Sequence, residues 1–147
     1  MLAMWQKKTG QIVRPTYGEI LACGALKKYN ANGKVNKALT RLYRILVAES
    51  AYLIWQLRLE HRIKRDGLDP ASEQEIHNRW YKQIDLRLEL DRQLTNRSKW
   101  RKKALPPALV INTWRGVLAK EDTLPADWTN PAAELQVLVG REVTMMG

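Results

Sequence analysis

The stretch RLYRILVAESAYLIWQLRLEHRI, residues 41–63, decides the fold of this chain. It contains no Gly or Pro, and its apolar side chains recur at intervals of three and four residues, the spacing of one face of an α-helix. Between Ile45 and Trp55 the stretch is apolar on almost every side, as is typical of a helix at the centre of a domain. We therefore predict a long central helix from Ala38 to about Arg65. Two adjacent stripes carry the pattern: Leu39, Tyr43, Leu46, Ser50, Leu53 and Leu57 in the first, and Leu42, Ile45, Tyr52, Leu59 and Ile63 in the second.

A second long helix is predicted from Glu73 to about Thr95. Ser72 and Glu75 have the spacing of a capping box, which marks the start of a helix. Because only about seven residues join the two long helices, we expect them to pack antiparallel. The outer surface of the second helix is expected to carry four charged side chains: Lys82, Arg87, Asp91 and Arg92.

Shorter helices are predicted around this pair. A capping box at Thr16 and Glu19 predicts a short helix over residues 17–23, and proline in the first turn predicts another from Ala108 to about Ala119. Residues 120–147 are predicted to form a less regular tail, whose ELQVLVG segment is either a short strand or a last helical turn. The predicted fold is a single all-α domain, a small helical bundle with two long antiparallel helices and shorter covering helices.

The net charge of +10 is distributed unevenly along the chain. Residues 1–40 carry seven cations and one acid, whereas residues 119–147 carry two cations and five acids. A basic body favours a polyanionic partner, either nucleic acid or an acidic membrane surface. Two alternatives agree with the same charge: it serves only to keep the protein in solution, or the acidic tail folds back onto the basic body.

Cysteine content and hydropathy bear on the compartment. Cys23 is the only cysteine, so an intrachain disulfide is excluded and a reducing compartment fits. Residues 1–8 lack the long apolar run of a secretory signal. The most apolar run, residues 46–57, is interrupted by Glu49 and Gln56 and is too short and polar to span a bilayer. We expect an intracellular protein of the nucleus or cytoplasm with no membrane span.

The run RSKWRKK, residues 97–103, holds five cations and a tryptophan in seven residues. Cations that meet phosphates release counterions, and an aromatic ring can stack on an unpaired base. The alternative is a solvated connector between helices, with the tryptophan packed against the core. A basic run of this kind can also direct nuclear import. The candidate nucleic-acid contacts in the run are Arg97, Lys99, Trp100, Arg101, Lys102 and Lys103.

Glu49 is the candidate functional acid, because it lies in the most apolar turn of the central helix. A carboxylate buried there either pairs with a cation or has a raised pKa, which suits proton transfer. The structural alternative is an ion pair with Arg58, Arg79 or Arg87.

Metal and cofactor signals are weak. Glu73 and His77 are four residues apart on one helical face, but two histidines and one cysteine are a poor ligand set. Asp85, Glu89 and Asp91 alternate with arginines, which is typical of ion pairing on a helix surface rather than of Mg²⁺ binding. The sequence contains no Gly-rich phosphate loop and no nucleophile elbow. We predict no metal, no cofactor and no catalytic residue.

Several segments are distinctive in combination: MWQKKTG, PTYGEILACG, RLYRILVAESAYLIWQLRLEHRI, EIHNRW, LELDRQLTNRSKWRKKAL, VINTWRGVL and LPADW…LVG. From about Met4 to Gly140 the chain resembles the C-terminal region of retrotransposon-derived proteins of basidiomycete, mushroom-type fungi. In those proteins the segment follows a reverse-transcriptase or ribonuclease-H-like part and a short Cys/His zinc-binding segment. The resemblance implies a retroelement origin and nucleic acid as the ancestral partner.

The chain also departs from that family's fuller pattern. It has no polymerase, no ribonuclease-H carboxylates and no Cys/His segment, and it ends with the added sequence REVTMMG. Both a fragment of such a protein and a stand-alone gene put to another use agree with this pattern. The resemblance therefore carries over no catalytic residue.

Our leading hypothesis is a non-enzymatic module that binds DNA or RNA through one basic face, with weak sequence specificity. Residues 97–103 form the centre of that face, with Arg58, Arg62 and Arg65 as helpers. Binding of this kind weakens as salt rises.

Two further hypotheses belong to different classes. An excess of Trp and Tyr, together with the two-sided apolar central helix, favours a protein-interaction module or a homodimer. A repurposed enzyme or small-molecule binder would instead use Glu49 in a cavity lined by Tyr52, Trp55 and Trp80.

Overall fold

The structure is a computed structural model that describes residues 1–63 and 70–141. These residues form six α-helices, two short 3₁₀ turns and two isolated β-bridges, which confirms the predicted all-α class. The helices are α1 (Leu2–Thr9), α2 (Tyr17–Leu21), α3 (Lys37–Ile63), α4 (Glu73–Leu94), α5 (Arg97–Trp100) and α6 (Pro107–Trp114), and the 3₁₀ turns are Arg101–Lys103 and Glu121–Thr123.

The long helix α3 begins one residue before its predicted start. Asn36 caps it, since the Asn36 side-chain oxygen accepts from the Leu39 backbone N–H at 3.0 Å and the Asn36 carbonyl accepts from that of Thr40 at 2.9 Å. The predicted end near Arg65 lies outside the described residues.

Helices α3 and α4 are antiparallel, as predicted. The Glu60 carboxylate, near the end of α3, pairs with Arg79 near the start of α4, whereas Arg41 near the start of α3 pairs with Asp91 near the end of α4. The predicted cap is also present, because the Ser72 hydroxyl accepts from the Glu75 backbone N–H at 3.1 Å. Helix α4 ends at Leu94, one residue before the predicted end.

The shorter helices cover one part of α3. Trp5 of α1 meets Tyr43 edge to face with ring centroids 5.0 Å apart, and Trp114 of α6 is completely buried. Helix α6 is shorter than predicted because the chain leaves the helix at Arg115, where ψ is 132, and then turns at Gly116, where φ is +88. Val117 and Leu118 nevertheless stay in the core as extended chain.

The stretch of α3 from Ile45 to Trp55, which was predicted to lie at the centre of the domain, is only partly buried. Its first half is buried, but Tyr52, Ile54 and Trp55 are 50%, 55% and 56% exposed, so the prediction is wrong for these side chains. Leu59 and Ile63, which belong to the second apolar stripe, are exposed as well. The physical reason is length: α3 extends beyond the short helices that cover its first half.

The C-terminal segment is irregular over the described residues 120–141, and it contributes to the core. Trp128, Val137 and Val139 are buried, and a single β-bridge joins Val139 to Leu118. Between residues 134 and 140 the chain therefore forms neither a helical turn nor a regular strand.

The prediction for the outer surface of α4 is wrong at two residues. Asp91 is 0% exposed and Arg92 is 3% exposed. Asp91 is buried because Arg41 and the Trp114 indole both bond it. Arg92 is buried because the C-terminal segment folds over it.

No helix among residues 1–63 and 70–141 combines the length and the apolar character that crossing a membrane requires.

Candidate nucleic-acid interface

The run of cations forms a compact loop that we call the basic loop, residues 97–103. Asn96 begins it as a helix cap, since its side-chain oxygen accepts from the Lys99 backbone N–H at 3.2 Å. One turn of α-helix and one 3₁₀ turn follow, and the Leu105 backbone N–H then donates to the Leu94 carbonyl at 2.9 Å. The loop is therefore closed onto the end of α4 and has a defined shape.

All five cations of the basic loop are exposed. Across the part of the chain that the structure describes, none of them forms an ion pair. Trp100 is 36% exposed, and its indole N–H donates to the Gln93 carbonyl at 3.1 Å. The Lys99 ammonium lies 5.2 Å from the Trp100 ring centroid. Trp100 is thus braced by a hydrogen bond while part of its ring remains at the surface.

Arg101 has an unusual backbone conformation, with φ 50 and ψ −121. These angles belong to the first central position of a type II′ turn, where glycine is favoured because it has no Cβ. A cation therefore occupies a strained position at the middle of the basic loop. Such strain is often found where function, rather than stability, determines the residue.

The structure does not bring Arg58 and Arg62 to the basic loop. The basic loop follows the end of α4, which lies beside Arg41 at the start of α3. At 1.5 Å per residue, Arg58 lies roughly 25 Å further along α3 than Arg41. Both Arg58 and Arg62 are exposed, and Arg65 lies outside the described residues.

Other cations, which the sequence interpretation missed, lie at the same end of the α3–α4 hairpin as the basic loop. The loop before α3 is fastened to that helix, because the Lys28 backbone N–H donates to the Thr40 hydroxyl at 2.8 Å. This loop carries Lys27 and Lys34, and α3 begins at Lys37; all three side chains are exposed. Together with the cations of the basic loop they form a surface that we call the basic end.

A signal for the basic end is present in the sequence. Residues 20–48 contain six cations and residues 92–120 contain eight, and neither stretch contains Asp or Glu. The two stretches are far apart in sequence, but they pack together as the first part of α3 and as α6 with the loops beside them. The fold thereby concentrates positive charge that the sequence distributes over two segments.

In residues 119–141, the acidic tail does not neutralise the basic loop. The Glu121 carboxylate accepts from the Gly116 backbone N–H at 2.9 and 3.0 Å, and Asp127 accepts from the backbone and hydroxyl of Thr129. Asp127 lies across a polar cleft of about 500 Å³ from the loop, and Arg97 lines the same cleft. In residues 119–141, the described part of the tail, no carboxylate forms an ion pair with the basic loop.

Glu49 is partly exposed and has a neutral partner. Its carboxylate accepts from the Gln83 side-chain amide at 2.6 Å, so the expected ion pair with Arg58, Arg79 or Arg87 is wrong. Arg79 pairs with Glu60 instead, through bonds of 2.6 and 2.8 Å.

Neither of the two apolar clefts beside α3 brings Glu49, Tyr52, Trp55 and Trp80 together. Trp80 lines an apolar cleft and donates to the Ser50 hydroxyl at 2.9 Å, whereas Trp55 lines a different cleft. Glu49 lines neither of these two clefts.

The other acids of α4 have separate partners. Asp85 accepts from the Val139 backbone N–H at 2.9 Å and pairs with Arg141, while Glu89 pairs with Arg92 at 2.9 Å. Within residues 1–63 and 70–141, no three His, Cys, Asp or Glu side chains are grouped as a metal site requires.

Comparisons with known proteins give no relative: no protein-family model, no curated protein and no solved structure matches the chain. The resemblance to the fungal retroelement segment therefore stays a prediction.

Proposed function

We propose that the protein binds nucleic acid through the basic end. The observation that carries the proposal is the juxtaposition of the two segments without carboxylates, which places eight exposed cations at one end of the hairpin. None of these eight cations is engaged by a carboxylate of the described chain: Lys27, Lys34, Lys37, Arg97, Lys99, Arg101, Lys102 and Lys103.

The proposed contacts are mainly with phosphates. Lysine ammonium groups are flexible point charges, which suit the sugar-phosphate backbone better than the fixed pattern of a base edge. Binding is then weakly dependent on base sequence and strongly dependent on salt. Trp100 adds a partly exposed ring beside these cations, where an unpaired base can stack.

The test is a fluorescence anisotropy titration of the full chain with labelled single- and double-stranded DNA and RNA, at about 50 mM and about 200 mM salt. The variant changes Lys99, Arg101, Lys102 and Lys103 to Ala. If all four cations meet phosphates of duplex DNA, the slope of log K against log salt becomes shallower by about 3 to 4.

The matched control removes four exposed cations away from the basic end, by changing Arg14, Arg58, Arg62 and Lys82 to Ala. Both variants lose the same net charge, so a general electrostatic effect alters them equally. We expect the control to lose much less affinity and slope. Equal losses in the two variants would show that charge acts diffusely, and an unchanged affinity in the basic-loop variant would overturn the proposal.

A further inference from the structure

An apolar groove lies beside the second half of α3, away from the basic end. Its walls come from the start of the chain, from α2 and from α3, and its volume is about 460 Å³. Tyr17, Ile54 and Trp55 in the groove are 78%, 55% and 56% exposed. Large apolar side chains grouped at a surface mark sites of interaction. The residues that define the groove are Met1, Pro15, Tyr17, Ile20, Ile54 and Trp55.

The apolar surface continues past Ile54. A second cleft of about 420 Å³ shares Met1, Ser50 and Ile54 with the groove and extends to Ile76 and Trp80 of α4. Ile54 is therefore a ridge between two apolar depressions. A rod-shaped partner with side chains in rows fits a surface of this form better than a flat partner does.

One end of the groove is cationic. Arg58 lines it and lies four residues after Ile54, and Arg62 lies seven residues after Trp55, so both arginines extend the exposed apolar face of α3. Both are exposed and, among the residues that the structure describes, neither has an ion-pair partner. The floor of the groove thus changes from apolar to positive along one helix face.

We propose that this groove docks an amphipathic helix of another protein. The occupant carries apolar side chains three and four residues apart, followed within the next two turns by Asp or Glu that meet Arg58 and Arg62. Charge complementarity selects this partner over a second copy of the chain, because two copies of net charge +10 would bring like charges together. The concave shape and central ridge favour a helix over a membrane surface.

The test is a selection from a displayed library of amphipathic helices against the full chain. Apolar positions in the library vary among Leu, Ile, Phe and Trp, and the charged positions carry Glu or Lys with equal frequency. We expect helices with Glu on the turns after the apolar anchors to be enriched. Absence of enrichment, or enrichment without a preference for Glu, would overturn the proposal.

Variants of the chain then locate the site of the selected helices. Changing Tyr17 and Trp55 to Ser should weaken binding at least about tenfold, since exposed aromatic anchors commonly contribute more than 1 kcal/mol each. Both side chains are more than half exposed, so the fold should be retained. The matched control changes Leu86 and Leu90, exposed on α4, to Ser and should leave binding unchanged. Equal loss in the two variants would contradict docking in the groove.

Charge reversal gives a second readout. Changing Arg58 and Arg62 to Glu should switch the enrichment from Glu-bearing to Lys-bearing helices, and an unchanged preference would overturn the ion-pair part of the proposal. Two other occupants are tested directly with the Tyr17 and Trp55 variant. If the wild type forms concentration-dependent dimers in light scattering and this variant does not, the occupant is a second copy of the chain rather than a helix. If the wild type binds phosphatidylserine vesicles and this variant does not, the occupant is a membrane.

Discussion

The Arg41 guanidinium and the Asp91 carboxylate meet through two hydrogen bonds of 2.8 Å each, and they join the start of α3 to the end of α4. The Asp91 side chain is 0% exposed, and the Trp114 indole N–H donates to it at 2.8 Å. Three helices, α3, α4 and α6, therefore share one buried carboxylate. The basic loop begins six residues after Asp91, so the pair lies close to the end of α4 from which the basic loop extends.

Removing one partner of this pair should destabilise the protein strongly. The change Arg41→Met leaves a buried carboxylate without its bidentate cation, and we expect the free energy of unfolding to fall by about 3 to 5 kcal/mol. Urea denaturation measures this change in the free energy of unfolding. The double change Arg41→Met with Asp91→Leu should cost less than the sum of the single changes, because the buried carboxylate is removed together with the guanidinium of Arg41.

The control for this prediction is the Arg79–Glu60 pair, which has similar geometry but side chains that are 28% and 29% exposed. The change Arg79→Ala should lower the free energy of unfolding by less than about 1 kcal/mol, because water screens and replaces the pair. Equal costs for Arg41→Met and Arg79→Ala would contradict the assignment of Asp91 as a buried junction.

Arg92 should hold the C-terminal segment on the bundle. Its guanidinium donates to the carbonyls of Trp128, Leu135 and Asn130 at 3.1, 3.0 and 3.3 Å. The change Arg92→Met leaves these acceptors without a donor and should cost about 3 kcal/mol. Limited proteolysis should then cut first between residues 120 and 141. The exposed control Arg97→Met should change stability by less than about 0.5 kcal/mol, and the same cleavage pattern in both variants would refute the prediction.

Lys8 should make stability depend on pH. Its ammonium donates to the carbonyls of Asn112 and Arg115 at 2.6 and 2.7 Å, and burial, partly opposed by Glu121, lowers the pKa of Lys8 from 10.5 to about 8. The unfolded chain therefore binds this proton more tightly, so protonation favours unfolding. As pH rises from about 8 to 10.5, the free energy of unfolding of the wild type should increase relative to that of Lys8→Met.

Comparison with Lys8→Met isolates this effect from that of Tyr43. Burial and the hydrogen bond to Glu19 raise the pKa of Tyr43 above its usual 10.0, which lowers stability at high pH in both proteins equally. Chemical denaturation at several pH values measures the difference. A difference that is constant or decreasing between pH 8 and 10.5 would show that burial does not lower the pKa of Lys8.

A change at Arg101 should affect the stability of the fold and the binding of nucleic acid in opposite directions. The change Arg101→Gly relieves the left-handed backbone conformation and should raise the free energy of unfolding by about 1 kcal/mol. It also removes one phosphate contact, so the salt slope of nucleic-acid binding should become shallower by about one.

The change Lys102→Gly is the matched control, because it removes the same charge from a residue whose φ is not positive. It should lower the free energy of unfolding by about 0.5 to 1 kcal/mol while weakening binding similarly. Equal destabilisation by the two glycines would contradict strain at Arg101.

Local patterns were sufficient to predict α2, α3, α4 and α6, whereas α1 and α5 were not predicted. The caps at Thr16 and Ser72 are present as predicted, because a capping box depends only on residues three apart. The antiparallel arrangement of α3 and α4 followed from the short connection between them. Helix α6 was predicted too long because the apolar spacing of Val117 and Leu118 fits both a helix and a buried extended segment.

The candidate site was only partly predictable. The run of cations at residues 97–103 is visible in one segment, and each of its side chains is exposed. Lys27, Lys34 and Lys37 join it only through the packing of α3 against α6, a contact between distant parts of the chain. Arg58 and Arg62 were assigned to the same face from charge alone, which does not determine position along a helix roughly 40 Å long.

The sequence by itself determined the helical class, the two long helices and the basic run, because each depends on spacings within one or two turns. Only the tertiary structure decided that Asp91 and Arg92 are buried, that Tyr52, Ile54 and Trp55 of α3 stay exposed, and that two cationic segments share one end. Burial and charge clustering are sums over neighbours that are distant in sequence. Local periodicity contains no information about which of those neighbours will meet.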